Sequence, residues 1–333
     1  MRYNKSTMKK KSGIALFIFG ILMLVVAGVL LWAVFNHEWL MDWWRGKDYQ
    51  PVGEMGQIMK GLKLTDRGEF LFKASQPVLS SQDEFNAKCR PVMDEEMAVL
   101  GCYTDFNIYV YDIQSEELDG IKELTTAHEL LHAVWARMND EEKKALMGDL
   151  RTVYNSNVDK LRDEIGGYDE SEQQEELYVR AGTEVKNLTS ILEKHYGEVF
   201  SDQDLIVSYY DKYITVFKEI EAEMDELKAE MADIDAKIQE LSSEYERRFN
   251  QLEADIVSFN ACADVAGCFK SEESFYSRRR ELLAEQNALN GIYEQINDLI
   301  SDYNKKVEKY NSDVTRTEKL NAAINSSKKV NEL

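Results

Sequence analysis

From Tyr213 to Phe259, apolar residues recur in alternating steps of three and four: Tyr213, Phe217, Ile220, Met224, Leu227, Met231, Ile234 and on to Leu252, Ile256 and Phe259. A repeat averaging 3.5 residues commits the stretch to a supercoiled helix, because that period keeps one seam facing a partner. The additional four-residue step from Tyr245 to Phe249 is a stutter that locally relaxes the supercoil. A second, looser seam runs from Phe275 through Leu282, Leu289, Tyr293 and Tyr310 to Ile324, with Arg279 and Gln286 at seam positions. Between the seams, Cys262, Gly267 and Cys268 mark a turn. Folding there sets Phe259 against Phe275, Leu241 against Tyr293 and Met224 against Tyr310. The pattern therefore predicts an antiparallel coiled-coil hairpin over residues 213–325, with its tip near 262–268 and a length of about 70 Å at the helical rise. The hairpin holds no histidine, so it is read as a spacer or as an arm for a partner or a second copy, not as a place of chemistry.

At the other end, residues 13–35 carry no charge. A helix of that length reaches about 35 Å, enough to cross a hydrocarbon core of about 30 Å. Trp32, Trp39, Trp43 and Trp44 gather at its end, as residues of an interfacial belt do. Residues 1–12 hold five cations and no acid, which predicts a cytoplasmic tail and an extracytoplasmic remainder. A cleaved signal peptide would have a shorter apolar stretch and a small-residue cleavage site; this run ends in Val34-Phe35-Asn36-His37 and reads as a retained anchor. Residues 36–60, with Gly46, Pro51, Gly53 and Gly56, read as a juxtamembrane linker, and 326–333 as a frayed tail. The net charge of −21 repels nucleic acid, and no basic patch interleaved with aromatics offsets it. Cys89 with Cys102, and Cys262 with Cys268, are the simplest disulfide pairs, and both suit an exported domain.

Residues 61–212 are left for a folded domain. Here His128-Glu129-Leu130-Leu131-His132 has the His-Glu-x-x-His pattern. On a helix it sets two imidazoles one turn apart on one face, where both reach a single Zn²⁺, with Glu129 beside them as general base. Leu130, Leu131, Val134 and Trp135 make the helix apolar, and burying two histidines and a glutamate without partners would cost several kcal/mol. Short runs at 69–73, 97–103 and 107–111 read as strands of a small antiparallel sheet, whose edge could take an extended peptide. The fold class is thus α+β: a transmembrane helix, a small domain of sheet and metal-binding helices, and the hairpin.

Two histidines leave a catalytic zinc site one protein ligand short, and the acidic, helical stretch Glu175 to Glu184 is the best source of a third. With Leu64-Thr65-Asp66-Arg67-Gly68, Ala74-Ser75-Gln76-Pro77, Glu176-Leu177 ahead of Gly182-Thr183-Glu184, and His195-Tyr196, the chain resembles gluzincin-type zinc metallopeptidases, and within them a group of small bacterial membrane-anchored ones. The resemblance covers about residues 60–212. It implies a zincin-like domain, a peptide or protein substrate and a third ligand on the next helix, Glu176 or Glu184. It also gives His195 and Tyr196 an edge, over Tyr178 and Arg180, as donors to the developing oxyanion. The chain departs from the pattern where Glu175 precedes Glu176 and Arg180 follows four positions after it. Two functions remain open: an extracytoplasmic zinc peptidase, or a cell-surface scaffold whose coiled coil is the working part.

Overall fold

The computed structural model describes residues 6–89, 99–166 and 170–326. Helices dominate, with a single small sheet among the described residues. The chain divides into two units, one spanning Thr215–Ala322 and the other made of the chain up to Ile214 and from Ala323 onward.

Helix α1, Ser6–Phe35, contains the apolar stretch Phe17–Phe35, long and apolar enough to cross a membrane. Residues 36–60, expected as a linker, instead carry α2, His37–Gly46, and part of α3, Gly53–Gly61. Helix α2 packs on α4, Asp66–Ser75. Gly46 is required there, since a Cβ would come within 3.0 Å of the Ala74 backbone nitrogen.

The strand expected at 69–73 is the interior of α4. Thr65 caps that helix by accepting from the Gly68 N–H at 3.1 Å, and Lys73 reaches back to Glu69 at 2.5 Å. A good cap, an acidic first turn and an i,i+4 ion pair outweigh the five-residue alternation. The sheet is mixed rather than antiparallel. Strand β3, Asn107–Tyr111, lies between β1, Val78–Ser80, and β2, Gly101–Thr104. The expected pairing holds between β2 and β3, with Cys102 opposite Tyr109, while β1 runs parallel to β3, with Val78 opposite Tyr109. Residues 97–98 of the expected strand lie outside the described ones. Asp105 and Phe106 join β2 to β3 with φ of 50° and 64°, the twist a tight hairpin favours. Cys89, closing α5 (Gln82–Cys89), bonds to Cys102.

At the centre lies α6, Ile121–Trp135, in which Ala127, Leu130, Leu131 and Ala133 are fully buried. It touches α3, α4, β2, β3 and α9, Glu170–Glu184. Asn139 starts α7, Asp140–Ser156, with a capping box to Glu142; α8, Val158–Ile165, and α10, Ser190–Tyr196, complete this layer. Ser326, expected to be frayed, is buried, and its hydroxyl donates to the Val99 carbonyl at 2.6 Å; residues 327–333 lie outside the described ones.

The long helices are α11, Gln203–Ala263, and α12, Glu272–Ile324. In the second unit they run antiparallel in the expected register. Phe259 meets Phe275 at 5.0 Å, Lys309 meets Glu223 at 2.9 Å, and the Arg248 guanidinium grips Glu285 at 2.7 and 3.0 Å. Ile220, Leu227, Ile234, Leu252 and Leu289 are buried along the seam. Phe249, Ile256 and Tyr293, also expected there, are exposed, so the seam is incomplete at and beyond the stutter although Leu252 keeps its place in it. Cys262 and Cys268 are bonded at the tip.

Candidate metal centre

Helix α6 places His128 and His132 one turn apart, and α9 lies alongside to deliver Glu176. Their ligand atoms all fall within 4.8 Å of one another. The two Nε2 atoms are 3.3 Å apart, Glu176 Oε1 is 3.3 Å from His132 Nε2, and Glu176 Oε2 is 3.9 Å from His128 Nε2. A tetrahedral ion bound at about 2.0–2.2 Å holds its ligand atoms roughly 3.3 Å apart, so two imidazoles and one carboxylate fit it as they stand. The group can hold a metal ion.

The surroundings orient each ligand. Glu175 Oε1 lies 2.7 Å from His132 Nδ1, where a carboxylate fixes a ligating imidazole's tautomer and ring plane. Arg180 Nε donates to Glu176 Oε2 at 3.2 Å. Burial holds the His128 imidazole neutral, down to about 3. Burial also works against a proton on His132, but the hydrogen bonds to Glu175 and Glu176 overcome it and raise that pKa. Glu176 moves the opposite way: burial raises it, and the bond to His132 with the charges of His128, His132 and Arg180 brings it well below the usual carboxylate range.

Glu129, the pattern's third polar residue, is buried. Burial pushes its carboxyl up to about 7, partly offset by the charge of His132 and by the Tyr103 N–H that donates to it. That N–H lies on β2, an edge strand. The close approach of β2 to α6 depends on Gly101, whose Cβ would stand 2.6 Å from Glu129 Cγ and from Thr125 Cγ2.

The other expected residues have partners of their own. Glu184 is eight residues beyond Glu176, about 12 Å along the same helix, so it does not join the histidines. It receives Arg180 Nη1 at 2.9 Å, and Arg180 also pairs with Glu164. Tyr196 is fully buried, and its hydroxyl donates to the Tyr178 carbonyl at 2.7 Å; a hydroxyl so committed offers nothing to an oxyanion. His195 Nε2 is 2.9 Å from the Tyr178 hydroxyl, in an aromatic cluster where Tyr178 also meets Trp135, ring centres 4.9 Å apart. Arg180 spans three carboxylates. Sequence reasoning took Glu175 only as a departure from a family pattern and did not foresee Gly101 or the Tyr103 N–H.

No known family model, curated protein or solved structure matches this chain. The site must therefore be read from its own chemistry. Two neutral-capable imidazoles and a carboxylate form a borderline-hard donor set, suited to divalent transition ions as a class. Beside it stands a buried carboxyl whose affinity for a proton is raised towards neutrality, the property of a general base or acid near physiological pH.

Proposed function

We propose that the chain is a membrane-anchored, gluzincin-like zinc peptidase working outside the cell. The observation that carries this reading is the juxtaposition of the His128/His132/Glu176 group with buried Glu129, a residue that a purely structural metal site has no use for. A zinc ion there supplies Lewis acidity to a peptide carbonyl. Glu129 takes the proton from the attacking water on its carboxylate and hands it to the leaving amine. Glu175 holds the His132 ring in place, and Arg180 holds the Glu176 carboxylate. The apolar helix α1 and the two disulfides support a single-pass anchor with the domain on the oxidising side.

Metal analysis of the purified full chain tests this directly. About one zinc per chain is expected, lost in Glu176→Ala and kept in Glu184→Ala. Glu129→Gln is expected to keep its zinc and lose peptide hydrolysis by about 10²-fold or more; an active Glu129→Gln protein would sink the mechanism. The scaffold reading draws on the apolar residues exposed along the second unit, among them Phe249, Ile256, Leu283 and Ile300. It makes the opposite forecast, that the biological role survives Glu129→Gln.

A further inference from the structure

A helix on the surface of a water-soluble domain turns its apolar face inward. Helix α2 does the reverse. The side packed against the domain carries Asp42 and Gly46, both buried. Asp42 is clamped by Arg137, with Nε at 2.7 Å and Nη2 at 2.8 Å. The opposite side presents Met41, Trp43 and Trp44, the last of them 63% exposed, with Leu40 half-buried beside them. Lys47 lies 3.5 Å over the Trp44 ring. Next to this helix, the turn between β2 and β3 holds Phe106 outward, 54% exposed, with the Arg45 guanidinium 3.9 Å over its ring.

What covers this face follows from its attachment. Only Asn36 separates α1 from α2, and the backbone hydrogen bonds carry through it, from Asn36 to Trp32 and from Leu40 to Asn36, both at 3.0 Å. Trp39 bridges the junction, with its ring 6.2 Å from Trp32 and stacked at 6.1 Å on Phe70 of α4. The apolar face thus begins where the membrane-crossing stretch ends. Its composition, aromatic rings with a lysine over an indole and an arginine over Phe106, is the one favoured at headgroup level.

We propose that α2 lies in the membrane interface, its Met41, Trp43 and Trp44 face among the lipids, and that Phe106 is a second point of insertion. The occupant is the bilayer that α1 crosses, so the proposal rests on the anchored reading. The domain is then seated on the lipid surface at two places instead of swinging from a tether.

The test uses the full chain in neutral lipid nanodiscs, with nitroxide labels at single sites: Leu24→Cys, Trp44→Cys, Phe106→Cys and Glu141→Cys. Accessibility to oxygen, which concentrates in lipid, is compared with accessibility to a water-soluble nickel chelate. Leu24 reports whether α1 is in hydrocarbon, and Glu141, exposed on α7, reports bulk water. The expected result is an oxygen-to-nickel ratio several-fold higher at 44 and 106 than at 141. A lipid-like ratio at 24 with water-like ratios at 44 and 106 overturns the proposal and leaves the anchor standing. Protection of 44 and 106 from both reagents overturns it in favour of a second copy or a protein partner. A water-like ratio at 24 removes the anchor and the proposal together.

Discussion

At the residue scale, Glu175 is the most consequential side chain that motif reading did not foresee. Its carboxylate meets His132 Nδ1 at 2.7 Å while Nε2 faces the metal-ligand group. Removing it in Glu175→Ala leaves every ligand in place and frees the His132 ring to turn. Metal affinity is expected to fall about 10–100-fold, measured by competition with a chromophoric chelator; unchanged affinity would show that packing alone sets the ring. His195 offers a separate test. Burial lowers its pKa below the ordinary value of 6.5. The unfolded chain therefore binds that proton more readily. The stability this group contributes is present above its unfolded pKa and is lost as pH falls towards the folded value. Denaturation of His195→Gln, compared with the parent from about pH 7 to about pH 5, is expected to show a shallower loss of stability; equal slopes would remove His195 from the pH response. The histidine pair was legible because its spacing is local and one helical turn long. Glu176 and Glu184 were not separable, since both are acids on one helix and only the packing of α9 decides which faces α6. Gly101 carries no signal at all in a lone sequence, because the atoms it makes room for belong to a helix more than twenty residues away.

At the element scale, length decides what can be read. The heptads of α11 and α12 repeat often enough to fix type, register and turn, down to the Phe259–Phe275 contact. The stretch 69–73 offers five residues, too few to tell a period of two from one of 3.6, and β1, three residues long, leaves almost no periodic trace. Helix α2 was hidden for a different reason. Three of its apolar residues, Met41, Trp43 and Trp44, face away from the domain, so the usual inward pattern is weak and Gly46 and Pro51 suggest a linker. What fastens it is Asp42 with Arg137, two residues past the end of α6, so the clamp joins α2 to the helix bearing the histidines. Breaking a buried pair strands a charge, at a cost of about 3–5 kcal/mol. Arg137→Met is expected to destabilise the first unit by that order in chemical denaturation. Restoring neutrality with Asp42→Asn in the same chain should recover part of the loss, and no recovery would mean that the packing of Arg137, not its charge, holds α2.

At the scale of the whole molecule, the chemistry and the long seam belong to separate units. The candidate ligands, Glu129 and one disulfide lie in the first; the hairpin and the other disulfide lie in the second. Yet α11 is one continuous helix that begins in the first unit's core with Ile206 and Val207 and continues into the second. Helix order is cooperative, but it extends only as far as the balance of propagation allows, and beyond Ile214 the helix draws its stability from its own buried seam. Metal binding should therefore stabilise the two units unequally. A ligand at about 100 times its Kd adds about 2.7 kcal/mol to whatever must fold to bind it. Hydrogen exchange of the zinc-loaded and chelated protein is expected to differ in α6 and α9, to differ less at the start of α11, and to coincide from Ile234 to Leu289. Equal slowing along the whole hairpin would mean that the two units unfold as one, and that the coiled coil senses occupancy of the metal centre through the helix they share.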